Sequence, residues 1–185
     1  AWGAPGAAPG EFNAVSDVAI LPDGSVLAAD ARNHRLQRLA ADGTVLGVWG
    51  THASAPGQLA RPTGVALAPD GTVVVVDSLN HRVHRFTVDG THLDDWGGQG
   101  PALGQLDRPW DVGVAADGTV YVVERDNHRV QKFAPDGTPL GSIGSRGRAP
   151  GELFYPYGLA LAPDGTVWVA DTRNDRVQHF AADGT

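Results

Sequence analysis

The sequence contains no cysteine and no methionine in 185 residues. A chain without cysteine forms no disulfide, offers no thiolate to a metal ion and has no cysteine nucleophile. We expect no membrane partner, because no apolar run approaches the roughly 18 residues of a membrane-spanning helix and no signal peptide is recognisable. The chain begins with alanine instead of methionine, which suggests a processed or excised piece and leaves its localisation unknown.

Positive charge is also scarce. Lysine and arginine together number 14, against 21 aspartates and glutamates, which gives a formal net charge of −7. A chain of this charge has no overall attraction to a phosphate backbone, so nucleic-acid binding is disfavoured. A single lysine among these basic residues is typical of a GC-rich bacterial gene.

Glycine, by contrast, is abundant and recurs at fixed intervals. The 25 glycines and 13 prolines favour short strands and tight turns over helices. Three features recur every 47 residues: a Trp-Gly or Ile-Gly pair at Trp2, Trp49, Trp96 and Ile143; two series of Asp-Gly pairs, at Asp23, Asp70, Asp117 and Asp164 and at Asp42, Asp89, Asp136 and Asp183; and a triplet beginning at Asn33, Asn80, Asn127 and Asn174. They predict one domain, 1-185, of four tandem repeats, at about 1-47, 48-94, 95-141 and 142-185.

Each repeat has the pattern of four β-strands, as the second repeat illustrates. Its strands are predicted at 64–68, 72–77, 82–87 and 92–97. The Asp70-Gly71 and Asp89-Gly90 pairs close hairpins, because glycine tolerates the positive φ that such turns need. A four-stranded antiparallel blade cannot bury both faces alone, and radial stacking of blades solves this. We therefore predict an all-β protein, a β-propeller with one blade per repeat.

The repeat resembles the NHL repeat. The resemblance rests on the pattern Pro-x-Gly-Val-Ala, Asp-Gly-Thr-Val, Asn-His-Arg-Val, Asp-Gly and Trp-Gly, with Asn-His-Arg in place of the Asn-His-Leu that names the family. NHL propellers usually have six blades, so the resemblance leaves three possibilities open. The chain is a fragment of a larger propeller, a closed four-bladed ring, or one half of an eight-bladed homodimer. Four bulky residues are expected between blades: Trp49, Phe86, Phe133 and Phe180. They favour the first and third possibilities, in which the angle between adjacent blades is shallower than in a four-bladed ring.

The repeat register also predicts which side chains are buried between blades. The first strands contribute Val18, Val65, Val112 and Leu159, and the second strands contribute Val74, Tyr121 and Trp168.

The long loops of every blade share one face, and binding residues concentrate on such loops. By register, the channel mouth on this face is lined by Ser16, Thr63, Trp110 and Tyr157, followed by Asp17, Gly64, Asp111 and Gly158. The third repeat departs most from the others, at Trp110, Asp111, Glu124 and Arg125. We predict a ligand site in which aromatic side chains enclose the ligand and arginines anchor it; its candidate residues are Trp110, Asp111, Tyr155, Tyr157, Arg61, Arg108 and Thr63.

Two other series of polar residues are interpreted as structural, because they recur in nearly every blade. Acidic residues recur at the ends of the second strands, at Asp30, Asp77, Glu124 and Asp171, where each faces the triplet of its own loop, which reads Asn-His-Arg in the first three repeats and Asn-Asp-Arg in the fourth. The histidines His34, His81 and His128 recur at the same interval and are also assigned a structural role. The remaining histidines, His52, His84, His92 and His179, show no ligand spacing, so no metal or other cofactor is predicted.

Two classes of propeller enzyme share this architecture. Peptidyl-amidoglycolate lyases resemble NHL propellers and bind zinc through channel-mouth histidines, but the matching positions here are Thr63, Trp110 and Tyr157. Lactone-lyase propellers rely on a channel histidine, for which the sequence offers no candidate. The leading prediction is a non-catalytic scaffold that binds protein, peptide or glycan through its loop face. The alternatives are a lyase or hydrolase with a channel-mouth site, RNA binding as in some animal NHL domains, and an engineered or excised segment that self-assembles.

Overall fold

The structure is a computed structural model that describes all residues, 1–185. Its regular secondary structure consists of β-strands and two three-residue 3₁₀ turns, Ala31–Asn33 and Thr172–Asn174. No helix has the length and apolar character needed to cross a bilayer.

Four antiparallel blades follow one another along the chain, after a short parallel pair, β1 (Ala4–Pro5) and β2 (Glu11–Phe12). The first blade comprises β3 (Val15–Ile20), β4 (Val26–Asp30), β5 (Arg35–Leu39) and β6 (Val45–Trp49). The second comprises β7 (Pro62–Leu67), β8 (Val73–Asp77), β9 (Arg82–Phe86) and β10 (His92–Gly97). The third comprises β11 (Pro109–Val114), β12 (Val120–Glu124), β13 (Arg129–Phe133) and β14 (Pro139–Ile143). The fourth comprises β15 (Gly158–Leu161), β16 (Val167–Asp171) and β17 (Arg176–Phe180).

This architecture confirms the predicted all-β propeller and its one blade per repeat. Within every blade the strands pair in chain order, from the inner strand at the axis to the outer strand. The fourth blade has three strands, because β17 has no outer partner. The chain's first residues do not supply one: Trp2 lies instead against the Gly43 turn of the first blade.

Glycine makes the predicted hairpin turns possible. Gly71 has a φ of 84° in the turn between β7 and β8, and the Asp70 carboxylate accepts the Thr72 backbone N–H at 2.9 Å. The same aspartate contact recurs in the inner hairpins of the other three blades. The carboxylate thus stabilises a turn whose backbone conformation favours glycine.

Hydrophobic cores form between successive blades. Three clusters of buried side chains join the first blade to the second, the second to the third and the third to the fourth. In the middle cluster, Val74 and Val76 of β8 pack against Val112, Val120 and Phe133 of the third blade. No such cluster joins the fourth blade to the first.

The two faces at the ends of this four-blade arc are consequently exposed. Val65, Val112, Val74 and Tyr121 are buried as predicted, and Leu159 is half-buried. The prediction is wrong for Val18, which is 55% exposed, and for Trp168, which is 45% exposed. Both occupy the predicted register, but Val18 precedes the first blade interface and Trp168 follows the last. We call the surface around Val18 and Ile20 the first end face and that around Trp168 and Val177 the last end face.

Candidate functional site

The loop after each second strand is held by a buried carboxylate. In the first blade, the Asp30 carboxylate accepts hydrogen bonds from the Asn13 backbone N–H at 2.7 Å and from Asn33 Nδ2 and Arg35 Nε, both at 2.8 Å. The third and fourth blades repeat the arrangement around Glu124 and Asp171. These bonds confirm the interpretation of the acidic series as a structural clamp.

The recurring histidines fasten each blade to the next. The Nδ1 atoms of His34, His81 and His128 accept the backbone N–H groups of Arg61, Arg108 and Tyr155 at 3.0, 3.2 and 3.0 Å, respectively. Each accepting residue and its donor have positive φ values, in the left-handed region that non-glycine residues seldom occupy. The structural role predicted for these histidines is therefore confirmed, and their bonds fix the backbone where each inner strand begins.

The channel mouth contains a concavity of about 350 Å³ on the predicted face, where the inner strands converge. Its lining residues come from all four blades: Ser16, Asp17, Thr63, Trp110, Asp111, Tyr157, Gly158 and Ala170. Two of them connect blades: Ser16 Oγ donates to the Pro62 carbonyl at 3.0 Å, and the buried Thr63 Oγ1 donates to the Pro109 carbonyl at 3.4 Å. The hydroxyl side chains of Ser16 and Thr63 therefore stabilise the contacts between neighbouring blades.

The later repeats place aromatic rings at this mouth. The ring centroids of Trp110 and Tyr157 lie 4.8 Å apart at an angle of 61°. The guanidinium of Arg61 lies 5.2 Å from the Trp110 centroid, and that of Arg125 lies 5.6 Å from Trp110 and 6.0 Å from Tyr157. Asp126 orients Arg125 by accepting its Nε–H at 2.7 Å. These separations are those of cation–π contacts, so two arginines and two aromatic rings form one cluster.

Two carboxyl groups share the mouth with this cluster. Asp111 accepts the backbone N–H groups of Val112 and Leu159, and Asp17 accepts those of Val18 and Val65, all at 2.8 Å. Burial raises the pKa of Asp111 to about 6, with a further contribution from the negative charge of Asp17, despite the two hydrogen bonds that oppose the shift. Burial also raises the pKa of Asp17. Asp111 can therefore exchange a proton near neutral pH.

The structure brings together only part of the predicted site. Trp110, Asp111, Tyr157 and Thr63 line the mouth, and Arg61 covers Trp110.

Tyr155 and Arg108 lie outside this group. Tyr155 packs on His128 and Phe154, with centroid distances of 4.5 and 5.0 Å. Arg108 is exposed, and its Nε is 3.5 Å from Asp126.

Arg125 and Asp17 belong to the site although neither was among the candidate residues. Both had a sequence signal. Arg125 was part of the third repeat's departure from its sisters, and Asp17 occupies the register position of Asp111.

Other concavities lack this combination of groups. The largest, about 460 Å³, lies between the inner hairpins of the third and fourth blades, and one of about 180 Å³ lies between those of the second and third. A further one, of about 300 Å³, is the exposed surface of the last end face around Trp168. The mouth is smaller than the largest of these, but it alone joins paired aromatic rings, arginines and a carboxyl group of raised pKa.

Solved structures with similar folds include several enzymes. A catalytically inactive virginiamycin B lyase from Staphylococcus aureus, solved with quinupristin, aligns with a TM-score of 0.74 and 17% identity over 98% of this chain and 56% of its own. For hydrazine synthase from Kuenenia stuttgartiensis the TM-score is 0.71 and the identity 17%, over 92% of this chain and 47% of that one. For a gluconolactonase from Xanthomonas campestris the values are 0.66 and 22%, over 86% and 55%. At these identities the likeness shows the fold alone, and this chain spans about half the length of these proteins.

Sequence comparison assigns the family. No curated protein matches the chain significantly. The model of the NHL repeat, in contrast, matches residues 12–39, 59–86, 106–133 and 155–180. Each match begins shortly before an inner strand and ends at or near the third strand of the same blade, so the matches and the blades are in phase. The chain belongs to the NHL-repeat family.

Proposed function

We propose that this chain is a non-catalytic binding module that takes a protein, peptide or glycan segment at its channel mouth. The observation that carries the proposal is the cluster of Trp110, Tyr157, Arg61 and Arg125 beside a concavity of about 350 Å³. Ligand sites commonly combine apolar and aromatic walls with a few placed polar groups.

The cluster is not required for building a propeller. In the first two repeats, Ser16 and Thr63 occupy the positions of Trp110 and Tyr157 and complete the blade contacts with hydroxyl groups. Aromatic rings give apolar contact area to a peptide side chain or a sugar face, and guanidinium groups bind carboxylates and hydroxyls through several donors. The two half-buried rings therefore suit a ligand with one apolar face and polar edges.

Titration of the purified chain tests this proposal. A panel of acidic peptides, neutral peptides and oligosaccharides would be screened by isothermal titration calorimetry, and the tightest binder retained. Trp110→Ala is expected to weaken its binding at least tenfold, because it removes the central ring. The control, Leu79→Ala, truncates an exposed side chain on the same loop face outside the cluster and should leave the affinity unchanged. Equal affinities for wild type and Trp110→Ala would contradict a mouth site.

A lyase or hydrolase is the alternative, and one observation favours it. Asp111 has a pKa raised to about 6 and lines the same concavity, so it is placed to donate or accept a proton. Several structurally similar proteins carry lyase or lactonase names. Turnover of lactone substrates that Asp111→Asn abolishes would favour this alternative over simple binding. Binding to the mouth without turnover would favour the module.

We also propose that the exposed end faces are covered in the working assembly. Apolar side chains lie on both, with Val18 and Ile20 at one end and Trp168 and Val177 at the other. Every other blade face in the chain packs against a neighbouring blade. A second copy of the chain, or further blades of a longer chain, would provide the missing neighbours.

A further inference from the structure

We propose that the second blade carries a binding site for Zn²⁺, formed by His84 Nδ1, His92 Nε2 and the Asp95 carboxylate. The site lies on strands β9 and β10, toward the outer part of the blade. None of its residues lines the channel mouth, so it is distinct from the proposed ligand site.

The three ligand atoms have the spacing that a small tetrahedral ion requires. His84 Nδ1 is 3.3 Å from His92 Nε2, His92 Nε2 is 3.4 Å from Asp95 Oδ2, and His84 Nδ1 is 3.8 Å from Asp95 Oδ2. Zinc bonds of about 2.0–2.1 Å in a tetrahedron place neighbouring ligand atoms roughly 3.3–3.4 Å apart. Two separations match, and the third needs a shift of a few tenths of an ångström from Asp95, which is partly exposed and can move.

The strand pairing explains why these residues meet. His84 and Asp95 are cross-strand partners in the β9–β10 ladder, and a register irregularity between His92 and Asp94 interrupts the ladder beside them. His84 and His92 show no ligand spacing in the sequence, because they are eight residues apart in an irregular hairpin. Cross-strand register is the signal that would have identified the cluster.

The second blade departs here from a hydrogen-bonding pattern that its sisters share. At the register position of His84, the other blades have glutamine: Gln37, Gln131 and Gln178. The Oε1 of each glutamine accepts a loop backbone N–H. Its Nε2 donates to a loop carbonyl and to the buried carboxylate of the blade. His84 makes neither loop bond, and its Nδ1 faces His92 instead. The histidine thus replaces two loop contacts with a position in the cluster.

The arginine of the second-blade clamp is displaced as well. Arg82 Nε lies 4.0 Å from Asp77 Oδ2, whereas the corresponding separation is 2.8 Å in the first and fourth blades. This Nε–H is buried without an acceptor. Arg82 Nη1 is 3.8 Å from Asp95 Oδ2, which is too long for a hydrogen bond. The Asp95 oxygen therefore keeps its lone pairs available to a cation.

A buried carboxylate orients His84 as a zinc ligand. His84 Nε2 lies 3.3 Å from Asp77 Oδ2, and both side chains are fully buried. When Nε2–H donates a hydrogen bond to Asp77, the lone pair of the ring lies on Nδ1, on the side of His92 and Asp95. Zinc-bound histidines commonly donate their second N–H to a carboxylate, which fixes the tautomer and increases the basicity of the ligand. Three protein ligands leave the fourth tetrahedral position to water.

Competition with a chromogenic zinc chelator tests the site in the full chain. Wild type is expected to bind one Zn²⁺ per chain with submicromolar affinity. His84→Gln, His92→Val and Asp95→Ser should each weaken binding at least tenfold. Each variant inserts the residue that another repeat carries at the same register, namely Gln37, Val45 and Ser142, so the blade should still fold. His52→Gln is the control, because His52 is exposed and lies outside the cluster.

Cobalt absorption provides a second readout. Co²⁺ in the site should give the intense visible bands of four-coordinate nitrogen and oxygen ligation. Thermal unfolding gives a further measurement: Zn²⁺ should raise the melting temperature of wild type but not of His84→Gln, because a ligand that binds only the folded state stabilises it. Absence of saturable binding would overturn the proposal, as would an equal loss in His52→Gln or a six-coordinate cobalt spectrum. Without saturable metal binding, His84 and His92 would form only a hydrogen-bonded pair.

Discussion

The pKa of aspartate shifts in opposite directions at different places in this protein. The Asp23 carboxylate in an exposed hairpin accepts hydrogen bonds from Ser25 and from the Arg38 guanidinium, and these lower its pKa to about 2. The Asp111 carboxyl group also accepts two hydrogen bonds, but burial at the channel mouth outweighs them and raises its pKa to about 6. Asp23 is exposed and paired with a cation, whereas Asp111 is buried near another carboxylate, and these differences account for the opposite signs of the two pKa shifts.

The raised pKa makes a testable contribution to stability. A carboxyl group that holds its proton more tightly in the folded state stabilises that state below the ordinary pKa near 3.8, and this contribution is lost as the pH rises through about 6. In urea unfolding, the free energy of wild type minus that of Asp111→Asn is expected to fall by about 1–3 kcal/mol between pH 4 and pH 7. Asp17→Asn should give a change of the same sign. A difference that stays constant with pH would disprove the shifted titration.

Register predicted individual mouth residues well, because a repeat fixes the position of each residue along its blade. Trp110, Asp111 and Tyr157 line the concavity for that reason. Side-chain direction is not contained in the repeat, and Tyr155 turns toward His128 because its left-handed backbone is fastened to that histidine. The cation–π contacts of Arg125 likewise depend on Asp126, which orients the guanidinium.

At the scale of elements, the Trp-Gly and Asp-Gly series share one interval because they contact each other between blades. A Cβ atom on Gly90 would lie 2.7 Å from the Trp49 ring, and one on Gly137 would lie 2.7 Å from the Trp96 ring. The tryptophan of each outer strand therefore covers the outer hairpin of the next blade. The close approach needs glycine there, in addition to the positive φ of the turn.

Substituting two of these glycines separates the two requirements. Gly137→Ala introduces both the left-handed strain and the contact with Trp96, whereas Gly71→Ala introduces the strain alone, because a Cβ there has nothing within 4 Å. Gly71→Ala is expected to lower the free energy of unfolding by about 1 kcal/mol, and Gly137→Ala by an additional ~1–3 kcal/mol. Thermal and urea unfolding of both variants measure the difference. Equal losses would mean that the tryptophan contact has no energetic weight.

Strand positions were predicted to within two residues, and the discrepancy has a physical cause. In the second repeat the inner strand begins at Pro62, whereas the small-residue pattern indicated Gly64. Pro62 pairs with Asp77, and a register irregularity separates this pair from the one at Gly64. Such an irregularity leaves no periodic signal in the sequence, so only the regular part of the ladder could be recognised.

At the scale of the whole molecule, equivalent positions differ in burial according to their place in the arc. Val74, Tyr121 and Trp168 occupy the same register in the second, third and fourth blades, yet their exposed fractions are 1%, 5% and 45%. A repeat pattern specifies the contact that each blade makes when a neighbour is present. It contains no information about whether that neighbour exists, and for this reason the burial of Val18 and Trp168 was predicted wrongly.

The exposed end faces lead to a prediction about assembly. If a second copy covers them, light scattering over a concentration series should give a mass approaching twice 19.3 kDa. Ile20→Asp and Trp168→Asp should each return the mass to 19.3 kDa, because an unpaired carboxylate in an apolar interface costs several kcal/mol. Leu140→Asp is the control, since Leu140 is also about half exposed but lies on the outer strand β14, away from both end faces.

The two possible results assign the end faces to different neighbours. Dimers that only the end-face variants disrupt would mean that the first end face of each copy contacts the last end face of the other. The channel-mouth site would then occur twice, once per copy, around a wider channel. A wild-type mass of 19.3 kDa at all concentrations would rule out self-association as the cover. The apolar surfaces at Ile20 and Trp168 would then require blades from a longer chain, and Trp168→Ala should cost this isolated chain less than about 1 kcal/mol, because a half-exposed side chain loses little packing on truncation.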